Sequence, residues 1–284
     1  MLQTELQTAI DAALDAGKTI LKYYEEELEP EEKIGYDNYA EPVTVADRDA
    51  SRMIVERLSA AFPGDGILSE EEIDDPQIRL SKDRVWIIDP IDGTAGFVKK
   101  DGDFGVQIGL VEKGVPVLGV VHLPFHDKLS YAVKGEGTFE LRNGQAERFN
   151  VSNIRKFSEM TLAMSRNHPS SRMSRIIEHF AFAGIIRRGS VGLKIGLIAD
   201  KTCDIYIHPS ARTKLWDTCA PQIILEEAGG RFTDLFGKEM RYDQADLQNH
   251  NGIVATNGVS HDAVIAHLRP ILAEFGRVPH AAAA

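Results

Sequence analysis

The densest chemical signal in the chain is Asp89-Pro90-Ile91-Asp92-Gly93-Thr94, directly after the apolar run Val85 to Ile88. A strand running into such a turn offers two hard carboxylate ligands suited to Mg²⁺, while N–H groups near Gly93 and Thr94 can receive a phosphate. Pro, Asp and Gly are also common turn formers, so the segment has a structural reading as well. Ser69-Glu70-Glu71-Glu72 follows a second strand-like run, and strand ends are where α/β proteins place their sites. Asp47 stands near the start of one predicted helix and Asp217 near the start of another, and each is explained structurally as an N-cap. Acids at so many element ends in one chain point beyond capping. Carboxylates, water and substrate phosphate together hold Mg²⁺, and a pair of such ions about 3.5–4 Å apart can clamp an in-line phosphoryl displacement.

The elements that position these acids follow from periodicity. Leu6, Ile10, Ala13, Leu14, Gly17, Ile20, Leu21 and Tyr24 share one helical stripe, predicting a helix over about residues 3–28, then an acidic linker from Glu25 to Glu32. Ala46, Ala50, Met53, Ile54 and Leu58 predict a second helix, closed by Pro63-Gly64. Strands are expected at residues 66–68, 85–88, 106–110, 117–122, 129–133 and 138–141, with turns at Lys113-Gly114, Lys134-Gly135 and Asn143-Gly144. These form a mainly antiparallel meander. Beyond residue 150 strands and helices alternate: strands at 160–165, 204–208 and 252–255, helices at 173–183, 191–199 and 261–275. A further helix from Asp217 stops at Gly229-Gly230, with Pro221 in its first turn.

Composition narrows the partners. The 284 residues include 43 Asp and Glu against 32 Lys and Arg, a net charge of −11. A binder of long nucleic acid needs a surplus of cations along one face, so that class is excluded. A small phosphate ester is not excluded, provided that a metal ion, a helix N-terminus or placed cations supply local positive charge. No apolar run is long enough for a membrane span, and no signal peptide is legible, so a cytoplasmic protein without a membrane partner is expected. Cys203 and Cys219 form no C-x-x-C pair, which fits a reducing compartment.

The ordered set Ser69-Glu70-Glu71, Asp89 to Thr94, Trp216-Asp217 and Glu226-Glu227-Ala228-Gly229-Gly230 resembles the inositol monophosphatase superfamily of Mg²⁺-dependent, lithium-sensitive phosphatases. The resemblance runs from Thr44 to Gly230. Within the superfamily, Trp216 to Pro221, Gly229 to Asp234, Ser165-Arg166-Asn167-His168 and Lys194 look most like the 3'(2'),5'-bisphosphate nucleotidases. Ala95 departs from the Lys usual there, and Gly189-Ser190-Val191-Gly192 is closer to the inositol phosphatase loop.

The resemblance implies an α/β fold of α+β character, with two layered sheets and intervening helices. Residues 1–150 would carry most metal ligands, and residues 151–284 would add Asp217 and substrate contacts. It implies Glu70, Asp89, Asp92, Asp217 and the Ile91 carbonyl as ligands for two or three Mg²⁺, with Thr94 and Asp47 activating water. Gly93, Thr94, Ser165, His168, Ser190, Lys194 and Arg212 would contact substrate. The expected reaction removes the 3'-phosphate of adenosine 3',5'-bisphosphate. Inositol phosphate or fructose 1,6-bisphosphate hydrolysis is the alternative, and a non-catalytic phosphate sensor is a third class that would need no Asp47–Thr94 pair. Homodimers are common in such families, although no interface is legible in the sequence.

Overall fold

The protein is described here by a computed structural model covering residues 2–26, 28–34, 40–142, 144–166 and 170–280. Its first helix, α1 (Gln3–Tyr24), buries Ala9, Ala13, Ala16 and Ile20 along one stripe. It stops short of residue 28, where Glu25 and Glu26 would oppose the negative end of the helix dipole. The expected acidic linker is in part a strand: β1 (Glu31–Ile34) pairs antiparallel with β2 (Ala40–Val43) in a separate two-stranded ribbon. Next come α2 (Val45–Ala61), β3 (Gly66–Ser69), the short α3 (Pro76–Leu80), β4 (Arg84–Asp92) and α4 (Thr94–Val98).

The meander continues through β5 (Gly105–Glu112), β6 (Val115–Leu123), β7 (Lys128–Val133), β8 (Gly137–Arg142) and β9 (Gln145–Phe149). Strands β3 to β9 form a seven-stranded sheet in sequence order, antiparallel except for the parallel β3–β4 pair. The turns at Gly114 and Gly135 take positive φ, as expected of hairpin glycines, whereas Asn143 lies outside the described residues.

Alternation along β4 sorts its side chains between layers. Trp86 and Ile88 pack with Ala9, Ala13, Ile20, Ala50 and Ile54 of α1 and α2. Val85 and Ile87 face the opposite layer, against Leu215, Trp216 and Cys219. Those residues belong to α7 (Leu215–Glu227), which is buried on nearly every side because it lies between sheet layers. Each such buried side chain stabilises the fold by about 1.5–3 kcal/mol relative to exposure. Helix and sheet meet closely at Gly109, where an added Cβ would lie 2.5 Å from Cys219 Sγ. Since α7 starts at Leu215, Pro221 sits in its interior rather than its first turn. Glu227 ends the helix before Gly229 at φ +93, the expected terminator.

The second sheet has five strands, β10 (Thr161–Ser165), β11 (Gly184–Arg188), β12 (Ile205–His208), β13 (Arg231–Thr233) and β14 (Ile253–Thr256), ordered β11-β10-β12-β14-β13. Pairs β10–β11 and β10–β12 are parallel, and β12–β14 and β13–β14 antiparallel. Helices α5 (Ser171–Phe180), α6 (Val191–Ala199) and α8 (His261–Glu274) flank it. The predicted α5 extension to residue 183 is cut by Ala181 in a left-handed conformation. Among the described residues no helix is long and apolar enough to cross a membrane.

Candidate active site

Asp89 and Asp92 lie within β4 itself, whose pairing with β5 is irregular between them. Such an irregularity re-aims side chains at a strand end. Gly93 follows at φ +97 and turns the chain into α4. A side chain there would also put its Cβ 2.5 Å from the Asp103 carbonyl oxygen, so both conformation and space require glycine.

Asp217 reaches the same place from α7. It is the third residue of that helix, not its N-cap, and its Oδ2 accepts the Lys214 backbone N–H. Among the described residues Asp89, Asp92 and Asp217 form a group with ligand oxygens all within 4.8 Å of one another. Burial raises Asp89 well above the usual carboxylate range, and the charges of Glu70, Asp92 and Asp217 raise it further. Asp217 is likewise pushed well up by burial and then by Asp92, and Asp92 is raised by burial against the opposing charge of Lys194. Asp89 Oδ1 is buried without a hydrogen-bond partner. Crowded hard oxygens, one of them unsatisfied, are a donor set that could hold a divalent cation, and they fit Mg²⁺.

Glu70 follows β3 beside Asp89 and also accepts from Lys33 Nζ of β1 at 2.8 Å. Lys33 binds Glu71 as well, so the β1–β2 ribbon is tied to the rim of the acidic group. Nothing local in the sequence marks Lys33, which reaches these acids across 37 positions.

Asp47 lies at the third position of α2, where the sequence reading has an N-cap; Thr44 takes the cap position instead. Thr44 N and Oγ1 both donate to Asp47 Oδ2, at 2.8 and 2.6 Å. The other oxygen, Oδ1, accepts from Thr94 Oγ1 at 3.1 Å. Burial pushes the Asp47 carboxyl up to about 6 despite these donors. Thr94 Oγ1 also lies 3.1 Å from the Ile91 carbonyl oxygen.

The opposite wall is the turn before α6. Ser190 Oγ donates to Asp92 Oδ2 at 2.6 Å, and Gly192 N donates to the same oxygen at 2.8 Å. Lys194 is 3% exposed and donates to the carbonyls of Gly189 and Ser190, its ammonium 4.9 Å from the Tyr206 ring centroid. Burial lowers it to about 8. A cavity of about 310 Å³ joins these groups, bounded by Glu70, Asp89, Ile91, Asp92, Gly93, Thr94, Ser165, Ser190, Lys194, Arg212 and Asp217. His168 lies outside the described residues. Tyr206 and His208, not singled out in the sequence, also line the cavity. His208 Nδ1 is paired with the Tyr206 hydroxyl and Nε2 with the Ser210 hydroxyl, and its place at the end of β12 was the available signal. A larger cavity of about 560 Å³ near Asp234, Arg241 and His250 contains none of the clustered acids.

The inositol monophosphatase family model matches residues 1–273. A 3'(2'),5'-bisphosphate nucleotidase CysQ of Aggregatibacter actinomycetemcomitans is 34% identical over 242 residues, covering 85% of this chain and 88% of that protein. A fructose-1,6-bisphosphatase/inositol-1-monophosphatase of Thermotoga maritima is 33% identical over 257 residues, covering 87% and 88%. The solved structure of an IMPase of Thermotoga maritima superposes with a TM-score of 0.81 at 30% identity, over 97% of this chain and 100% of that one. Enzymes of this family are in general Mg²⁺-dependent and lithium-sensitive phosphatases. The chain, with the layered fold and the acid cluster that its sequence motifs anticipate, belongs to the inositol monophosphatase family of phosphatases.

Proposed function

We propose that this phosphatase hydrolyses the 3'-phosphate of adenosine 3',5'-bisphosphate, giving AMP and phosphate. The observation that carries the hydrolytic part is the acid group Asp89, Asp92 and Asp217 in one cavity wall with Thr94, whose hydroxyl is bonded to the buried Asp47 behind it. Glu70, Asp89, Asp92, Asp217 and the Ile91 carbonyl would hold two or three Mg²⁺. When bound, Mg²⁺ supplies positive charge that neutralises phosphoryl oxygens and makes water more acidic.

The chain's own groups do the rest. Thr94 Oγ1 passes its proton to Asp47 Oδ1 and takes one from the attacking water, so the incoming oxygen gains nucleophilicity as it approaches phosphorus. The Gly93 and Thr94 N–H groups receive phosphoryl oxygens. As the P–O bond breaks, the 3'-oxygen leaves with the bonding pair and takes a proton from solvent, to which Asp47 returns the one it received. The balance is one water consumed, one alcohol and one phosphate released.

Support for a bisphosphate comes from the cationic wall of the cavity, where Lys194 and Arg212 could meet a second phosphate together with Ser165, while the Ser190 hydroxyl is committed to Asp92. Inositol 1-phosphate makes no such demand. The nucleotidase relative points the same way. A second reading, hydrolysis of inositol or sugar phosphates, is favoured by Ala95 and by the Gly189–Gly192 loop, and the Thermotoga relative supports it.

The test is phosphate release with Mg²⁺ from adenosine 3',5'-bisphosphate, inositol 1-phosphate and fructose 1,6-bisphosphate, with and without lithium. A higher kcat/KM for the nucleotide is expected, whereas a clear preference for inositol 1-phosphate overturns the nucleotidase reading.

A further inference from the structure

Ser190 holds an unusual backbone, φ +42 and ψ 131, in a region that non-glycine residues rarely occupy. Such conformations persist only where surrounding contacts over-determine them. Here the contacts come from opposite sides. Lys194 donates to the carbonyls of Gly189 and Ser190 from within α6. From the β5 side, Asp103 Oδ2 accepts the Gly189 N–H at 2.7 Å. Asp103 is 1% exposed, and the same oxygen pairs with Arg166, whose other nitrogen holds Asp101, each at 2.8 Å.

The Asp103 backbone is equally engaged. Its carbonyl oxygen lies where a Cβ on Gly93, Gly96 or Gly189 would intrude, at 2.5, 2.8 and 2.8 Å. The segment that presents Thr94 and the segment that presents Ser190 therefore both pack on one residue. Downstream, the Ser190 hydroxyl accepts from Leu193 N at 3.0 Å, which directs its proton to Asp92 Oδ2. With Oδ2 occupied by Ser190 and Gly192, Oδ1 is the Asp92 oxygen left for the acid group.

We infer that Asp103 is a positioning residue: through Gly189 and Ser190 it fixes the orientation in which Asp92 serves the reaction. The inference rests on the reading of this cleft as the site of phosphate hydrolysis. Charge and geometry both matter in the Asp103 contacts. An Ala there leaves the backbone in place but removes the one oxygen that serves both the Gly189 N–H and the guanidinium, so both contacts are lost together.

The experiment compares Asp103→Ala, Ser190→Ala and the double variant with the unaltered protein, using phosphate release from adenosine 3',5'-bisphosphate. Mg²⁺ binding is read independently, as the concentration giving half of the Mg²⁺-induced rise in Tm. Loss of a hydrogen bond to a charged group corresponds to a fall in kcat on the order of 10- to 100-fold for either single variant, with KM changed by less than about threefold. The Mg²⁺ midpoint should rise in both. Because Asp103 acts through Ser190, adding Asp103→Ala to Ser190→Ala should cost less than about threefold more. Losses that multiply in the double variant overturn the inference. So does an Asp103→Ala protein with lowered Tm but ordinary kcat and Mg²⁺ midpoint, which is what a purely structural strut would give. Should Asp103→Ala not fold, Arg166→Ala loosens Asp103 from its more exposed side, and it must lower kcat in the same direction or the inference fails. Asp89→Asn is run in parallel: if it retains turnover, the reading of the site has failed, whatever the Asp103 variants do.

Discussion

The Thr94 hydroxyl stands 3.1 Å from Asp47 Oδ1 and 3.1 Å from the Ile91 carbonyl oxygen, with a single proton to give. In the proposed mechanism, donation to Asp47 prepares proton removal from water, whereas donation to Ile91 does not. The two Thr44 donors on Asp47 Oδ2 leave Oδ1 turned toward Thr94, so the acid that bonds back to the cap residue of α2 and the proposed proton acceptor are one side chain.

Removing either partner should therefore stop proton transfer without unfolding the chain. Thr94→Ala and Asp47→Asn are each expected to lower kcat by about 10²–10⁴, while Thr94→Ser keeps most activity because it retains the hydroxyl. Far-UV circular dichroism should be unchanged for all of them. A Thr94→Ala enzyme with ordinary kcat would remove Thr94 from the mechanism.

Cation dependence follows from the repulsion among Asp89, Asp92 and Asp217. Chelation with EDTA should abolish turnover, and restored Mg²⁺ should raise Tm, since a ligand at 100 times its Kd stabilises by about 2.7 kcal/mol. Asp89→Asn removes one of the crowded charges. It should melt higher than the unaltered protein in EDTA, show a smaller Mg²⁺-induced rise in Tm, and lack turnover. An Asp89→Asn protein with near-normal activity would defeat the assignment of this residue as a metal ligand.

Much of this site was legible because it sits where local signals coincide. The run from Val85 to Ile88 marks a strand, the Asp-Pro-Ile-Asp-Gly-Thr segment puts paired acids at its end, and α6 falls at the predicted 191–199. The features that escaped depend on distant partners. Strands β1, β11 and β13 are short, and exposed Glu31 and Glu32 read as linker until β2 pairs with them. Asp47 and Asp217 were placed at N-caps because a carboxylate can satisfy helix N–H groups from several positions. Both in fact occupy the third residue, reaching back to the residue before the helix. Pro221 looked like a first-turn residue for lack of any mark at Leu215, whose helical start is set by burial against the sheet. Asp103 carries no motif at all; its partners Arg166 and Gly189 are brought to it by the fold.

The close approach of α7 to the seven-stranded sheet makes Gly109 intolerant of size. A Cβ would lie 2.5 Å from Cys219 Sγ and 3.2 Å from Ala220 N. Gly109→Ala should destabilise by about 1–3 kcal/mol, the usual cost of overpacking. A smaller partner relieves part of that, so Cys219→Ala in the Gly109→Ala background should cost less than Cys219→Ala alone. Urea melts of the four proteins test this, and simple additivity of the two changes would show that these side chains are not in contact.

His261 gives the fold a pH dependence remote from the acid group. It is 1% exposed, its Nε2 lies 2.9 Å from the Thr233 hydroxyl and its Nδ1 3.1 Å from the Thr256 hydroxyl. Burial lowers it to about 4, with the Arg231 charge acting in the same direction. The unfolded chain protonates this imidazole first, near its ordinary value of about 6.5, so between there and about 4 the unfolded state binds more protons. Stability from this group is thus complete above the unfolded value and is lost as pH falls toward the folded one. His261→Gln retains an acceptor and a donor for the two hydroxyls but cannot titrate. Urea melts at pH 7.5, 6 and 5 should show the unaltered protein losing more stability on acidification than His261→Gln, because every other titrating group is common to both. Parallel losses in the two proteins would mean that His261 takes up its proton as readily in the folded state as in the unfolded chain.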